Sequence, residues 1–396
     1  MTTAARPAPD TARPATTPSP AGAGRATGAS TLRRAVFLAP AGLAMLAGLD
    51  AALMLLGLPA PVSAARLPDV HGMLLVFGFV GTLISLERSV ALRSRAGYLA
   101  PALLGLGGLL LLSPAPIEAG QATLLLGMVA MTAVYVPLWR RQRDDSVLAQ
   151  AFGAVLGVGG LVLWLGGVPV AALLPWLMGF IVLTIGGERL ELARIAMGVH
   201  AGRTLLLLSA ALVTGVVASL LWPQVGYPWL GVTLLALTCW LAVHDVARRT
   251  VRAQGQVRFM AGCMLAGYFW LAVAGATWLV GGPALEGTAY DVVIHAVFLG
   301  FTLSMIMAHA PVILPAVLHR PLPYHPLMLL PAALLHLSLV LRLWVGDALG
   351  QQLAWQTGGA LNIAALLLFV AVAVWSASRA DRARKPAGAT AGRVGR

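Results

Sequence analysis

Gly78-Phe79-Val80-Gly81-Thr82-Leu83-Ile84-Ser85-Leu86-Glu87-Arg88 is one of three stretches in this chain built to the same plan. Gly179-Phe180 is followed, nine residues after its Gly, by Glu188-Arg189, and Gly300-Phe301 is followed at the same offset by His309-Ala310. The chain holds three Gly-Phe and two Glu-Arg dipeptides, and all of them fall into this one spacing. Successive anchor glycines lie 101 and 121 residues apart. In a very apolar chain that period predicts three related blocks of about four membrane helices each.

Composition sets the solvent in which those helices live. Hydrophobic residues make up 59% and charged residues 10% of 396, with a mean hydropathy of +0.85. Soluble domains do not reach such values, so most of the chain is expected in lipid. The net charge of +13 is almost entirely Arg, gathered in the tails and in alternate loops. That is the positive-inside arrangement, not a nucleic-acid surface. Cys239 and Cys263 lie in apolar segments without CxxC spacing and read as buried free thiols.

Apolar stretches of spanning length fall at roughly 35–58, 70–92, 98–113, 121–138, 147–167, 170–192, 203–222, 228–247, 259–281, 290–317, 326–346 and 354–378. The fold class expected is an all-α membrane protein of twelve transmembrane helices in three pseudo-repeated four-helix blocks, at about 35–140, 147–247 and 259–378. Arg93, Arg95, Arg140, Arg141, Arg143, Arg194, Arg203, Arg248, Arg249, Arg252, Arg258 and Arg320 occupy one set of loops. The other set carries little beyond Arg66, Glu118, Glu286 and Asp291. Both termini are therefore expected in the cytoplasm, with the chain in the cytoplasmic (inner) membrane. Residues 1–34, rich in Pro, Ala, Thr and Arg, and the basic segment 379–396 read as disordered cytoplasmic tails. On this count the three anchors sit in helices 2, 6 and 10, all running from outside to inside, which makes the repeats parallel.

Chemistry is expected at the histidines and at the second pair of each repeat. His71 opens helix 2 and His295 opens helix 10, each one or two turns inside the outer face. Two imidazoles at matching depth on pseudo-symmetric helices suit the two axial positions of one haem, with Gly72 and Gly78 leaving room for a flat ring. The plainer reading is that each caps or hydrogen-bonds within the bundle. His309 follows His295 by fourteen residues, roughly 21 Å along a helix, so the two cannot share a metal atom. It aligns with Glu87 and Glu188 instead, and the three would form a polar ring near the cytoplasmic face that binds a cation or relays protons. The competing reading has Glu87-Arg88 and Glu188-Arg189 each neutralising its own partner. His336, mid-helix, requires either an interhelical hydrogen bond or a metal. His200, His319 and His325 read as solvated loop residues, and His244-Asp245 as an interfacial pair. No P-loop, GxSxG, HExxH or dinucleotide fingerprint is present in a usable context.

The stretch His71-Gly72-Met73-Leu74-Leu75-Val76-Phe77-Gly78-Phe79, with a second His opening helix 10, resembles subunit I of the haem-copper oxidases. It is similar also to NnrS, a haem- and copper-containing membrane protein linked to nitric oxide stress. The resemblance implies a haem-binding membrane protein in electron transfer or nitric oxide handling, with His71 and His295 as axial ligands. It raises copper as a second metal, for which His309 and His336 are candidates, and a redox partner or quinol. The oxidases' His in helix 6, His pair in helix 7 and closely spaced helix 10 pair have no counterpart here. The binuclear centre of a terminal oxidase or nitric oxide reductase therefore does not carry over. Two readings from other classes stand beside this one: a proton- or cation-coupled transporter using Glu87, Glu188 and His309, and a non-redox membrane assembly factor.

Overall fold

A computed structural model describes residues 20–318 and 320–384, with side chains over 36–317 and 320–380 and at 382. Residues 1–19 and 385–396, which hold most of the two expected tails, and His319 lie outside the described residues. Among the described residues the chain is helical throughout, with no strand. Twelve helices are long and apolar enough to cross a membrane. They are α1 (Val36–Leu55), α2 (Leu67–Leu92), α3 (Arg95–Leu112), α4 (Ile117–Gln142), α5 (Asp145–Leu165), α6 (Val170–Met197), α7 (Ala201–Leu221), α8 (Pro223–His244), α9 (Gly255–Gly281), α10 (Gly287–Val317), α11 (Pro326–Ala348) and α12 (Gln352–Ala380). The lateral surface is apolar, with Leu207, Val155 and Leu337 more than half exposed, as lipid contact requires. α6 is the most buried of the twelve spans and α2 and α10 follow, so the three anchor helices form the centre of the bundle.

The Gly of each anchor is a contact point between helices. A Cβ on Gly78 would lie 3.0 Å from the Ala44 Cβ and 3.5 Å from the Gly108 Cα, and one on Gly179 would lie 2.5 Å from Leu156. On Gly300 it would lie 2.4 Å from the Trp270 Cβ and Cγ. Small residues allow this close approach where no hydrophobic effect drives helices together. Gly78 therefore faces α1 and α3, and the room expected from it beside His71 is absent; Gly72 alone of the pair borders the cleft described below. Gly300→Ala is expected to cost about 1–3 kcal/mol by overpacking, read as a lower midpoint for loss of monodisperse protein on heating in detergent. An unchanged midpoint would mean that Trp270 moves aside freely.

α2 and α10 depart from α-helical winding at the same place. Leu74–Gly81 and Ala296–Leu303 form π-helix, each beginning four residues before its anchor Gly and ending three after it. α6 carries the equivalent Gly179-Phe180 in plain α-helix, and a third π-segment, Leu341–Ala348, closes α11. The wider i→i+5 turn in α10 is visible in the Thr302 hydroxyl, which donates to the Val297 carbonyl five residues back at 3.0 Å. Because this stretch separates His295 from His309, counting turns at 3.6 residues does not relate their faces.

Both cysteines are free. Cys263 is buried as expected, whereas Cys239 lies exposed on the side of α8. The expectation that both are buried fails there because the apolar surroundings of Cys239 are a lipid-facing surface, not a core.

Candidate functional site

His71 and His295 line one cleft, closed by α1, α2, α6, α10, α11 and α12. Each ring is fixed through one nitrogen. The Nδ1–H of His71 donates to the Gly48 carbonyl at 2.8 Å, and that of His295 to the Asp291 carbonyl one turn back, also at 2.8 Å. A carbonyl only accepts, so Nδ1 of each ring carries a proton; Nε2 makes no hydrogen bond, and the Asp291 carboxylate also lies 3.2 Å from Nδ1 of His295. Histidines that hold a metal are commonly oriented in this way, one nitrogen pinned and the other free.

An ion pair closes the cleft. The Arg342 guanidinium meets the Asp291 carboxylate through Nε at 2.9 Å and Nη2 at 2.7 Å, and the Trp355 indole donates to the same carboxylate at 3.3 Å. The guanidinium also lies over the Trp355 ring, 5.2 Å from its centroid. Gly359 makes room for it, since a Cβ there would stand 3.1 Å from Arg342 Nη1. Arg342 is absent from the sequence-based candidates, although a charge inside an apolar span is a signal that marks function or a buried partner.

Two imidazoles border one largely apolar cleft, with the Arg342–Asp291 pair at its edge, and these are the residues that could hold a metal-centred cofactor there. The free space is smaller than the group. The cleft holds about 70 Å³, against roughly 300 Å³ for the smallest common ligand pockets. Seating a macrocycle would therefore require side chains that line the cleft, Leu75 and Phe298 among them, to rotate outward.

At the other end of the bundle, charged and polar groups of α2, α5, α6 and α10, with Asp245 just after α8, interlock across helices. Arg88 donates to Glu87 at 2.8 Å and to Glu191 at 3.1 Å, and lies 3.5 Å from Glu188. Gln150 on α5 joins through Nε2, 3.2 Å from Glu191. Gly187 allows that approach, for a Cβ there would fall 2.5 Å from Gln150 Cγ. Arg189 turns away from its neighbour Glu188. It grips Asp245 with Nε at 2.8 Å and Nη2 at 2.9 Å, and its Nη1 donates to His309 Nε2 at 2.9 Å. The His309 Nδ1–H donates to the Met305 carbonyl at 2.8 Å, so the ring is neutral and both nitrogens are engaged. Thus Arg88 on α2 reaches Glu188 on α6, and Arg189 on α6 reaches His309 on α10.

Of the two readings of this end, self-neutralisation describes Glu87-Arg88 and fails for Glu188-Arg189. Adjacent helical residues diverge by about a quarter turn, and Asp245 offers Arg189 a better-aligned carboxylate. Glu87, Glu188, Arg189 and His309, with Arg320, all border a second, mainly apolar cavity of about 530 Å³ between α1, α2, α6, α10 and α12.

Asp245 and Tyr268 were not legible as partners of the repeats. Asp245, 2% exposed, accepts from Arg189, from the Tyr268 hydroxyl at 2.7 Å and from the Ala247 N–H at 2.9 Å. His244, its neighbour, points outward, bonded to the Trp240 carbonyl and stacked on that indole, so the two do not pair. Burial alone would raise the Asp245 carboxyl, but the hydrogen bonds and charge of Arg189, with the other two donors, hold it below the ordinary carboxylate range. The unfolded chain then binds the extra proton as pH falls below that range. Asp245 is expected to contribute stability in full above the ordinary carboxylate pKa and to lose it as pH falls toward the lowered value. Melting midpoints for wild type and Asp245→Asn between pH 7 and pH 3 check this: the gap between them should narrow toward acid, and a gap constant with pH would contradict it.

His336 resolves to hydrogen bonding. Trp270 donates to its Nδ1 at 3.0 Å, so Nε2 carries the proton and donates to the Ser304 hydroxyl at 3.0 Å. Neither His309 nor His336 keeps a free nitrogen, and among the described residues no group of three or more His, Cys, Asp or Glu is arranged to hold a metal ion. His325 accepts from the Leu327 N–H in its loop and packs edge-on against Trp375.

Fold and site together define a polytopic α-helical membrane protein with a two-histidine cleft at one end and an arginine–carboxylate network at the other. The chain belongs to the family described as a domain of unknown function, DUF8744, whose model matches residues 34–378. No curated protein matches the chain, and no solved structure does.

Proposed function

We propose that this protein binds one haem between α2 and α10, with His71 and His295 as the residues that would hold its iron, and serves electron transfer or the handling of nitrogen oxides. One observation carries the reading: both imidazoles border a single cleft, each pinned at Nδ1 by a backbone carbonyl and each with Nε2 free. A haem so held supplies a one-electron couple. The protein's part is to orient the two rings, exclude water with the apolar side chains of α1 and α6, and hold a cation, Arg342, at the rim. Asp291 serves both features, since its carbonyl fixes His295 and its carboxylate fixes Arg342.

The three-block plan belongs to the same proposal. It is supported by the matched π-segments of α2 and α10 and by the stepwise Arg contacts, Arg88 to Glu188 and Arg189 to His309. The Arg-rich loops put the network end, and both termini, on the cytoplasmic side, with the histidine cleft toward the outer face of the inner membrane.

Titration of the purified protein with haemin tests the reading. Saturation at one equivalent, with the low-spin spectrum of a six-coordinate iron, is the expected result. Binding that does not saturate, or a high-spin spectrum unchanged by His295→Ala, would overturn it.

A further inference from the structure

The 530 Å³ cavity at the network end exists where the repeat breaks its own rule. At the position after the aligned Glu or His, the first two repeats carry Arg88 and Arg189, and the third carries Ala310. Arg88 and Arg189 each reach into the next repeat, and a third arginine would reach toward Glu87 and complete the circuit. Ala310 leaves that arm empty, and Ala310, Glu87 and His309 all border the space that results.

The charge around this space does not balance. Two carboxylates that border it, Glu87 and Glu188, share the single guanidinium of Arg88 with a third, Glu191, which is exposed and outside the cavity lining. Arg189 is committed to Asp245 and His309. Arg320 also borders the cavity, but it is exposed, where water screens it. Three buried polar atoms of the cluster make no hydrogen bond: Glu188 Oε1, which borders the cavity and lies 3.5 Å from Arg88, and Gln150 Oε1 and the Tyr135 hydroxyl, which are outside its lining. Gln150 and Tyr135 are 0% and 2% exposed, and Tyr135 lies within electrostatic reach of Arg88 and all three glutamates. In a membrane interior such an excess of carboxylate calls for a positive partner. The remaining walls, among them Met45, Phe79, Ile306 and Phe369, are mainly apolar, with Thr302 and Ser378 the other polar residues.

We propose that this cavity binds a lipophilic organic cation, its charged centre held by Glu87 and Glu188 and its apolar body by the walls of α1, α10 and α12. A small hydrated metal ion does not match walls of this kind, and an anion meets two carboxylates. The site is independent of the histidine cleft, from which it is divided at Leu366, a residue that borders both spaces.

Equilibrium dialysis of the full-length protein in detergent, against tetraphenylphosphonium and the nearly isosteric anion tetraphenylborate, tests the proposal. The expected result is saturable binding of the cation and none of the anion, unchanged in the His71→Ala variant. Glu188→Gln should weaken the cation at least tenfold, and Ala310→Arg, which supplies the missing arm, should abolish its binding. Glu87→Gln, at a more exposed carboxylate, keeps the test decisive if either of those variants fails to fold. Equal uptake of both ions, no uptake of either, or full affinity in folded Glu87→Gln and Glu188→Gln protein would overturn the proposal.

Discussion

His71→Ala and His295→Ala are each expected to remove the Soret band of the protein purified in detergent, while leaving its elution as a folded monodisperse species unchanged. The effect is large because each substitution deletes a ligand atom, whereas the packing lost is small: both rings are only partly buried and each makes one hydrogen bond to a carbonyl. His336→Ala is the control. That ring is also intramembrane and bonded to two helices, so a merely structural histidine would show its behaviour, loss of stability with the band retained. Imidazole added to His295→Ala protein should restore a six-coordinate spectrum in part. Bands of wild-type intensity in both alanine variants would exclude these residues as ligands.

The second large effect is on the fold. Arg189→Met is expected to destabilise the protein by about 3–5 kcal/mol, since it leaves the Asp245 carboxylate buried and uncompensated. Tyr268 and the Ala247 N–H still donate to that carboxylate, but neither carries charge. Adding Asp245→Asn to Arg189→Met removes the orphaned charge and should recover much of the loss, a coupling that a double-mutant cycle reads directly. Additive losses would show that Arg189 and Asp245 contribute separately, through packing.

What could be read from the chain and what could not follows from the range of each interaction. The twelve spans are a matter of hydropathy over about twenty residues, and the structure has them close to the expected limits. The pairing of His71 with His295 was an inference from topology, and the two rings do border one cleft. The π-segments were invisible, because an i→i+5 turn demands no particular residue type, although the Gly-Phe anchors mark where two of the three fall. The partners of Arg88 and Arg189 were half legible. A repeat aligns residues that occupy equivalent places, so Glu188 and His309 could be found; Asp245 and Tyr268 lie outside the repeated pattern and have no such signal. Gly78 was misplaced because a missing side chain reads the same whether it makes room for a ligand or for another helix, and only the positions of Ala44 and Gly108 decide.

The departure of His309 from the glutamate pattern has an account in these terms. A third glutamate there would meet Arg189, which Asp245 already neutralises. A neutral imidazole can accept the remaining Arg189 N–H while its own N–H goes to Met305. The ring therefore satisfies the network without adding charge.

The absorption spectrum of the wild-type protein, purified from cells grown both aerobically and under denitrifying conditions, tests the central claim most directly. One haem per chain, with a sharp Soret band that shifts on reduction as a six-coordinate bis-histidine iron does, is the predicted result. Protein that is folded and monodisperse yet free of haem under both conditions, and that takes up none when haemin is supplied, would contradict it.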